Sequence, residues 1–262
     1  LSIEKSQEVD SPLFQHIQSV KPYVLPEDEY IQLIKELAEK EKLIFALVEQ
    51  AKVEMAKNNF IEAIKYWKKA SDKITNDSYF IQQLALCTYK SKVPSEKIAL
   101  QDALTIITQL EPDGRTTNDP ETLGITGAIY KRLWLIDNNE IEYLDRAIKY
   151  YDKGFAINSD YYTGENYALC LDLKGAYIGD EEEKIYCKLE AKKARRKIID
   201  IIDNLQLDED FLIRSDLKWI YATLANCHLA LNNDAEFKEN EALFMEKFPL
   251  DWELETYNNS KK

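Results

Sequence analysis

Two short segments in the middle of the chain hold side chains of the kinds that bind anions. The first segment is Tyr130-Lys131-Arg132, and the second contributes Tyr161, Tyr162, Gly164 and Asn166. Lysine and arginine can hold a phosphate or a carboxylate, and exposed amides near a glycine at a helix N-terminus can add hydrogen bonds. A tyrosine ring can stack on a base or on a peptide side chain. These seven residues therefore form a candidate site for a ligand or a partner.

The same residues also have a purely structural interpretation. Tyr130 and one of the later tyrosines could pack between neighbouring repeats, and glycines such as Gly127 and Gly164 could let two helices approach closely. Lys131 and Arg132 would then lie in solvent, as most charged side chains do. The sequence leaves both interpretations open.

A second basic group, the run Lys192–Lys197, lies in a segment whose apolar residues recur at helical spacing. Such a run can bind nucleic acid, but on an amphipathic helix it more commonly forms the solvated outer face. The chain has 47 acidic and 34 basic residues and a formal net charge of −13. Because that charge repels phosphate backbones and anionic lipids, we expect a solvated face and neither a nucleic-acid nor a membrane partner.

Catalytic and metal-binding patterns are missing from the sequence. His16 and His228 have no cysteine or carboxylate at metal-ligand spacing, and the four cysteines include no C-x-x-C pair. There is no nucleophile elbow and no glycine-rich phosphate loop. We therefore expect a protein that is not an enzyme, with no cofactor and no metal. Scattered cysteines and the lack of a signal peptide or an apolar span favour a cytoplasmic protein.

The elements that must position these residues are helices. Glycine and proline number only seven each, which favours an all-α fold with short connections. Asn-Asn pairs at 58–59, 138–139 and 232–233 each follow one helical pattern and precede another, so we expect tight left-handed turns there. With one more turn in each gap, the spacing predicts helix hairpins that repeat about every 40 to 47 residues.

The clearest unit resembles a tetratricopeptide repeat. Ala51, Ala63, Trp67 and Ala70 occupy that family's small, small, aromatic and small positions. The resemblance implies a right-handed α-α superhelix of about five helix pairs in a single domain, 27–262. The expected repeats are 44–75, 77–112, 119–159, 161–205 and 211–249, followed by a C-terminal cap, 250–258. Prolines 12, 22 and 26 make residues 1–26 an extended or partly mobile segment.

A narrower resemblance covers residues 119–175. Pro120-Glu121-Thr122-Leu123-Gly124 and Tyr161-Tyr162-Thr163-Gly164-Glu165-Asn166 are similar to the central tetratricopeptide region of apoptosis-signal-regulating kinase kinase kinases and its bacterial relatives. That region is the TRAF-binding domain of the kinases, and its bacterial versions are regarded as sensors. The family usually has Pro and Ile where this chain has Thr163 and Glu165.

Two functions follow from these resemblances. The first is a regulatory scaffold that binds a protein or peptide in the concave groove, where the first helices of the repeats lie. The alternative is a sensor that binds a small, anionic, nucleotide-like ligand at the junction of repeats three and four. Its context would be stress or defence signalling.

Overall fold

The computed structural model describes residues 27–74, 76–114 and 117–261, and for residues 27–30, 251 and 252 it defines the backbone only. The predicted N-terminal segment 1–26 and the side chain of Trp252 in the predicted cap lie outside these residues. All regular structure within the described ranges is helical, which confirms the all-α fold. The α-helices are α1 (Glu27–Ala56), α2 (Phe60–Ser71), α3 (Ser78–Ser91), α4 (Glu96–Ile107), α5 (Pro120–Ile136), α6 (Ile141–Asn158), α7 (Tyr161–Tyr177), α8 (Glu181–Leu205), α9 (Leu217–Leu231), α10 (Asp234–Met245) and α11 (Asp251–Asn259). Two single 3₁₀ turns span Thr108–Leu110 and Phe211–Ile213.

The helices form two compact units, of which one ends at Phe80 and the other begins at Ile81. In the first unit, α1 and α2 pack as an antiparallel hairpin around Trp67. Ala51, Ala63 and Ala70 are fully buried, and the Trp67 Nε1 donates to the Met55 sulfur at 3.3 Å. These small side chains let the two helices approach closely around one large ring, as the repeat pattern predicts.

The second unit is a stack of helix hairpins. Each helix from α4 to α10 packs against the next along the chain, and α7 also contacts both α5 and α9. The helices α5, α7 and α9 therefore share one layer, which we call the first-helix layer, while α6 and α8 lie outside it. A continuous core of buried residues, including Leu123, Leu144, Ile198 and Phe244, joins the hairpins. This arrangement is the all-helical solenoid that the sequence predicts.

Short polar caps set where these helices begin. The Asp119 carboxylate accepts from the backbone amides of the first turn of α5, and Asp160 accepts from the Thr163 amide at 2.9 Å at the start of α7. Asp180 accepts from Glu183 at 2.8 Å in the same way. A capping aspartate satisfies amides that have no partner within the helix, and its charge suits the positive end of the helix dipole.

The predicted asparagine turns are only partly correct. Asn58 and Asn232 adopt the left-handed conformation, with φ of 58° and 62°. Asn138 and Asn139 also form a turn, but neither has positive φ. Asp137 ends α5 with φ −137° and ψ 84°, and this extended geometry reverses the chain without a left-handed residue.

No helix in the described ranges combines the length and apolar character needed to cross a bilayer.

We expect Gly164→Ala to destabilise the second unit. A Cβ at this position would lie 2.6 Å from Phe155 Cε2 and 3.0 Å from Ile198 Cγ1. Overpacking of this kind costs about 1–3 kcal/mol, which exceeds the helix propensity gained when glycine becomes alanine. The measurement is the urea midpoint of unfolding. Gly179→Ala is the control, because a Cβ there would meet no atom within 4 Å. Equal midpoints for the two variants would contradict this packing.

Candidate anion-binding site

The candidate site lies where α5 and α7 meet in the first-helix layer. Lys131 and Arg132 lie in the fourth turn of α5, toward its C-terminal end, while Tyr162 and Asn166 lie in the first two turns of α7. The caps at Asp119 and Asp160 define the starts of the two helices. The structure thus brings together four of the seven residues that sequence analysis selected.

Lys131 crosses from α5 to α7. Its Nζ donates to Asn166 Oδ1 at 2.6 Å, and Asn166 Nδ2 donates to the backbone oxygen of Tyr162 at 2.9 Å. Burial of the ammonium group lowers the pKa of Lys131 below its ordinary value of 10.5. Among the residues that the structure describes, Lys131 forms no ion pair. Its charge is therefore held by a neutral amide in a poorly hydrated place.

Arg132 points toward a group of tyrosines. Its guanidinium carbon lies 4.9 Å from the centre of the Tyr89 ring, and its Nη1 lies 3.5 Å from the Ala128 oxygen. The guanidinium also interacts electrostatically with the phenol groups of Tyr151 and Tyr162. No carboxylate within the described ranges forms an ion pair with it. The ring of Tyr89 is buried, whereas Tyr162 is 49% exposed and can meet a ligand from solvent.

Tyr151 reaches the same place from the outer layer. The residue lies on α6 and is fully buried, and its ring covers Gly127 so closely that a Cβ there would be 3.1 Å from three ring atoms. Its hydroxyl has no hydrogen-bond partner among the residues that the structure describes. The ring centre lies 6.0 Å from Lys131 Nζ, and burial raises the pKa of the Tyr151 phenol well above its usual value. A buried, neutral hydroxyl without a partner costs stability and is a donor that a ligand can use.

The other three predicted residues make contacts elsewhere. Tyr130 stacks on Tyr150 with ring centres 5.7 Å apart, and its hydroxyl accepts from Arg146 at 3.2 Å. Tyr161 donates to Asp216 at 3.0 Å. The Gly164 amide donates to the Asp160 oxygen at 3.0 Å, so it is used within the helix.

Sequence reasoning missed Tyr89, Tyr151 and Cys170 as neighbours of the two cations. Cys170 is fully buried on α7, and burial raises the pKa of its thiol to about 12 although Lys131 acts in the opposite direction. Tyr151 was missed because the second helices were expected to face away from the groove. Only Gly127 signals its position, and the sequence does not show which ring a glycine accommodates.

The basic run on α8 also differs from expectation. Lys193 pairs with Glu190 at the surface, as a solvated face requires. Arg195 does not lie on that solvated face, because it is only 8% exposed and pairs with Asp172 of α7. The run therefore has an inward as well as an outward side.

No metal site is evident in the part of the chain that the structure describes, since no group of three His, Cys, Asp or Glu side chains could hold an ion. His16 falls outside these residues. His228, which lies on α9, has Asn233 Nδ2 at 3.2 Å from its Nδ1.

Known proteins support this fold. A model of the family described as Tetratricopeptide Repeats-Sensor matches residues 59–171, a range that includes Lys131, Arg132, Tyr151 and Asn166. Residues 59–171 are thus similar to a tetratricopeptide-repeat family that is described as a sensor family. Among solved structures, it is similar to a thermophilic tetratricopeptide-repeat protein of Thermus thermophilus, with a TM-score of 0.57 and 16% identity over 83% of this chain and 98% of that one. At that identity the likeness shows the tetratricopeptide fold alone. No curated protein matches the chain.

The pH dependence of the stability of the folded chain should report the burial of Lys131. Since burial lowers its pKa, the folded state binds the Lys131 proton less tightly than the unfolded chain does. The resulting penalty is fully present below the folded pKa and is relieved as pH rises toward 10.5. Lys131→Met should therefore be at least as stable as the parent at pH 7, and this advantage should shrink by pH 10. Urea unfolding at both pH values measures it.

The control for this experiment is Lys238→Met, which replaces an exposed lysine of α10. We expect no pH-dependent difference from the parent for this variant. A Lys131→Met protein that is less stable than the parent by the same amount at pH 7 and pH 10 would contradict the lowered pKa of Lys131.

Proposed function

We propose that this protein is a sensor that binds a small anionic ligand at the junction of α5 and α7. Lys131 and Arg132 would hold the acidic group of the ligand, and Tyr151 would donate a hydrogen bond to it. The observation that carries the proposal is that two cations without described ion pairs lie beside a buried hydroxyl without a partner. Each of these groups is costly to the folded protein when no ligand is bound.

A nucleotide-like ligand fits the remaining features. Tyr162 is half exposed next to Arg132, so its ring can stack on a base while the phosphate meets the cations. The local positive charge stands in a chain whose net charge is −13. At physiological ionic strength charges act over about 8 Å, so a small anion can reach the cations while an extended polyanion meets the acidic surface.

The role that we propose is regulatory and not catalytic. The sensor-type relatives and the resemblance to signalling proteins support an input domain in stress or defence signalling. A cytoplasmic location is part of the proposal, since all four cysteines are buried thiols outside disulfides, which suits a reducing compartment.

Binding should be visible as thermal stabilisation of the folded state. With ATP, ADP and inorganic pyrophosphate as probes and neutral adenosine as the uncharged comparison, we expect a rise in melting temperature only for the anions. A ligand at 100 times its dissociation constant adds about 2.7 kcal/mol to stability. The double substitution of Lys131→Met with Arg132→Gln should abolish the rise. If none of the anions raises the melting temperature of the parent protein, the nucleotide-like sensor is wrong.

Tyr151→Phe tests the hydroxyl separately from packing. The substitution keeps the ring over Gly127 and removes only the unpartnered oxygen, so the unliganded protein should be no less stable than the parent. Affinity for the anion identified by the melting experiment should fall by about tenfold, the effect of one lost hydrogen bond to a charged group. Calorimetric titration measures both affinities.

Tyr150→Phe is the matched control, because Tyr150 is the adjacent buried tyrosine and its hydroxyl interacts with Asp113 instead. It should leave the affinity for the anion unchanged. If Tyr151→Phe binds as tightly as Tyr150→Phe, Tyr151 makes no contact with the ligand.

A second candidate function, binding of a protein segment, rests on a different surface. A cleft of about 550 Å³ lies between the end of α8, the 3₁₀ turn Phe211–Ile213, α9 and α10. Its lining combines the carboxylates of Asp203, Asp208, Glu209 and Glu239 with the apolar side chains of Phe211, Leu212, Tyr221 and Leu243. Leu212 is 72% exposed. An acidic cleft with an exposed apolar rim suits a basic amphipathic segment.

We expect a basic amphipathic peptide to bind this cleft and a charge-reversed peptide of the same pattern not to bind. Asp208→Lys with Glu209→Lys should weaken binding at least about tenfold at low salt, because two attractive charges become repulsive. Glu41→Lys with Glu255→Lys, two exposed substitutions on α1 and α11 outside the cleft, is the control with the same change of net charge. Fluorescence anisotropy of the labelled peptide measures the effect. Equal loss in the control variant would show that net charge alone is responsible.

A further inference from the structure

A cleft that is lined by basic side chains lies between α7, α8 and α9, on the inward side of the run Lys192–Lys197. Its volume is about 300 Å³. Its polar walls come from Asp172 on α7, Lys188, Lys192 and Arg195 on α8, Asn226 on α9, Asn232 at the end of α9, and Ser260 and Lys261 after α11. Lys261 is paired with Glu241. None of these residues belongs to the anion site proposed above. The volume is at the lower end of the range for small-molecule sites.

The cations that line this cleft have two different roles. Arg195 is buried and pairs with Asp172, so its charge is matched within the wall. Lys188 and Lys192 stand one helical turn apart on the same side of α8, and neither forms an ion pair with any carboxylate that the structure describes. Lysines four residues apart repel each other by a few tenths of a kcal/mol. The cleft therefore has an excess of positive charge.

Asn226 adds an acceptor to the cleft. It is only 7% exposed, and its Nδ2 donates to Glu165 Oε1 at 2.8 Å. Because an ionised carboxylate can only accept, this bond determines which end of the amide is nitrogen. The Asn226 Oδ1 is consequently directed away from Glu165, and it is buried without a hydrogen-bond partner. A buried carbonyl oxygen without a donor costs stability.

Glu165 holds Asn226 in this position. Its second oxygen accepts from the Thr223 hydroxyl, so the carboxylate is bound by two side chains of α9. These two bonds fix the orientation of the Asn226 amide.

We propose that the cleft binds a small hydroxylated anion, with its acidic group at Lys188 and Lys192 and a hydroxyl donating to Asn226 Oδ1. The chemistry matches a phosphate monoester or a carboxylate of a polyol. A simple anion satisfies the lysines but not the Asn226 acceptor, and a neutral polyol satisfies only the acceptor. The cleft thus selects ligands that carry both groups.

The experiment uses the full chain and five probes in calorimetric titrations. Glycerol 3-phosphate, glucose 6-phosphate and 3-phosphoglycerate carry both groups, whereas inorganic phosphate and glucose carry one group each. We expect at least one of the first three to bind at least about tenfold more tightly than inorganic phosphate, since it adds one hydrogen bond to a buried acceptor. Glucose should not bind.

Three variants locate the site and separate its two parts. Lys188→Met with Lys192→Met should weaken the binding of the best probe by at least about tenfold. The Asn226→Ala variant should bind the best probe only about as tightly as it binds inorganic phosphate. A general loss of stability would weaken the binding of both ligands and leave the ratio of their affinities unchanged. Lys193→Met is the control, because Lys193 lies on the same helix, faces solvent and pairs with Glu190.

Two results would overturn the proposal. One is that none of the three hydroxylated anions binds more tightly than inorganic phosphate. Each probe is tested up to about 10 mM, because a dissociation constant of that size corresponds to less than about 3 kcal/mol of binding free energy. The other is that the lysine double variant binds the best probe as tightly as Lys193→Met does. The variant of the first site, Lys131→Met with Arg132→Gln, should bind the probes normally, so failure of one site is distinguishable from failure of the other.

Discussion

The close approach of α5, α6 and α7 is the constraint on which the second unit depends. Phe155 fills the space that Gly164 leaves without a side chain, and the Tyr151 ring lies against Gly127 in the same way. At these two positions a Cβ would clash with the ring that is present, so glycine lets the ring pack there. The contacts that hold α6 against the first-helix layer are therefore the same contacts that carry the Tyr151 hydroxyl toward Lys131 and Arg132.

The partly or fully buried cations of this protein fall into two classes that differ in their partners. Burial disfavours the charge of Lys174, but hydrogen bonds to Glu183 and Asp145 outweigh it and raise its pKa to about 12. Arg195 is matched by Asp172 in the same way. At Lys131 the partner is the neutral amide of Asn166, and burial prevails. In a chain with 13 more acidic than basic residues, carboxylates are abundant, so cations without them stand out. This difference separates cations that support the fold from those available to a ligand.

The helix α7 links the two anion sites that we propose. Asn166 accepts from Lys131 on one side, and the neighbouring Glu165 accepts from Thr223 and Asn226 on the other. Consecutive residues of a helix point about 100° apart, so one turn of α7 can contact α5 and α9 at once. The same turn of α7 therefore contributes side chains to both proposed sites.

The sequence by itself determined the helical class, the hairpin spacing and the helix starts, because these depend on local preferences. Aspartates at 119, 160 and 180 cap helices wherever those helices later pack, and the alanines around Trp67 specify a close helix pair. It also selected Lys131, Arg132, Tyr162 and Asn166, since residues on neighbouring first helices must come close in a repeat fold. Only the tertiary structure decided that Tyr151 joins them, that Tyr130, Tyr161 and Gly164 face other contacts, and that Lys192 and Arg195 line a cleft. Those outcomes depend on which side chain of one helix meets a gap in another, and such long-range packing leaves no periodic signal in the chain.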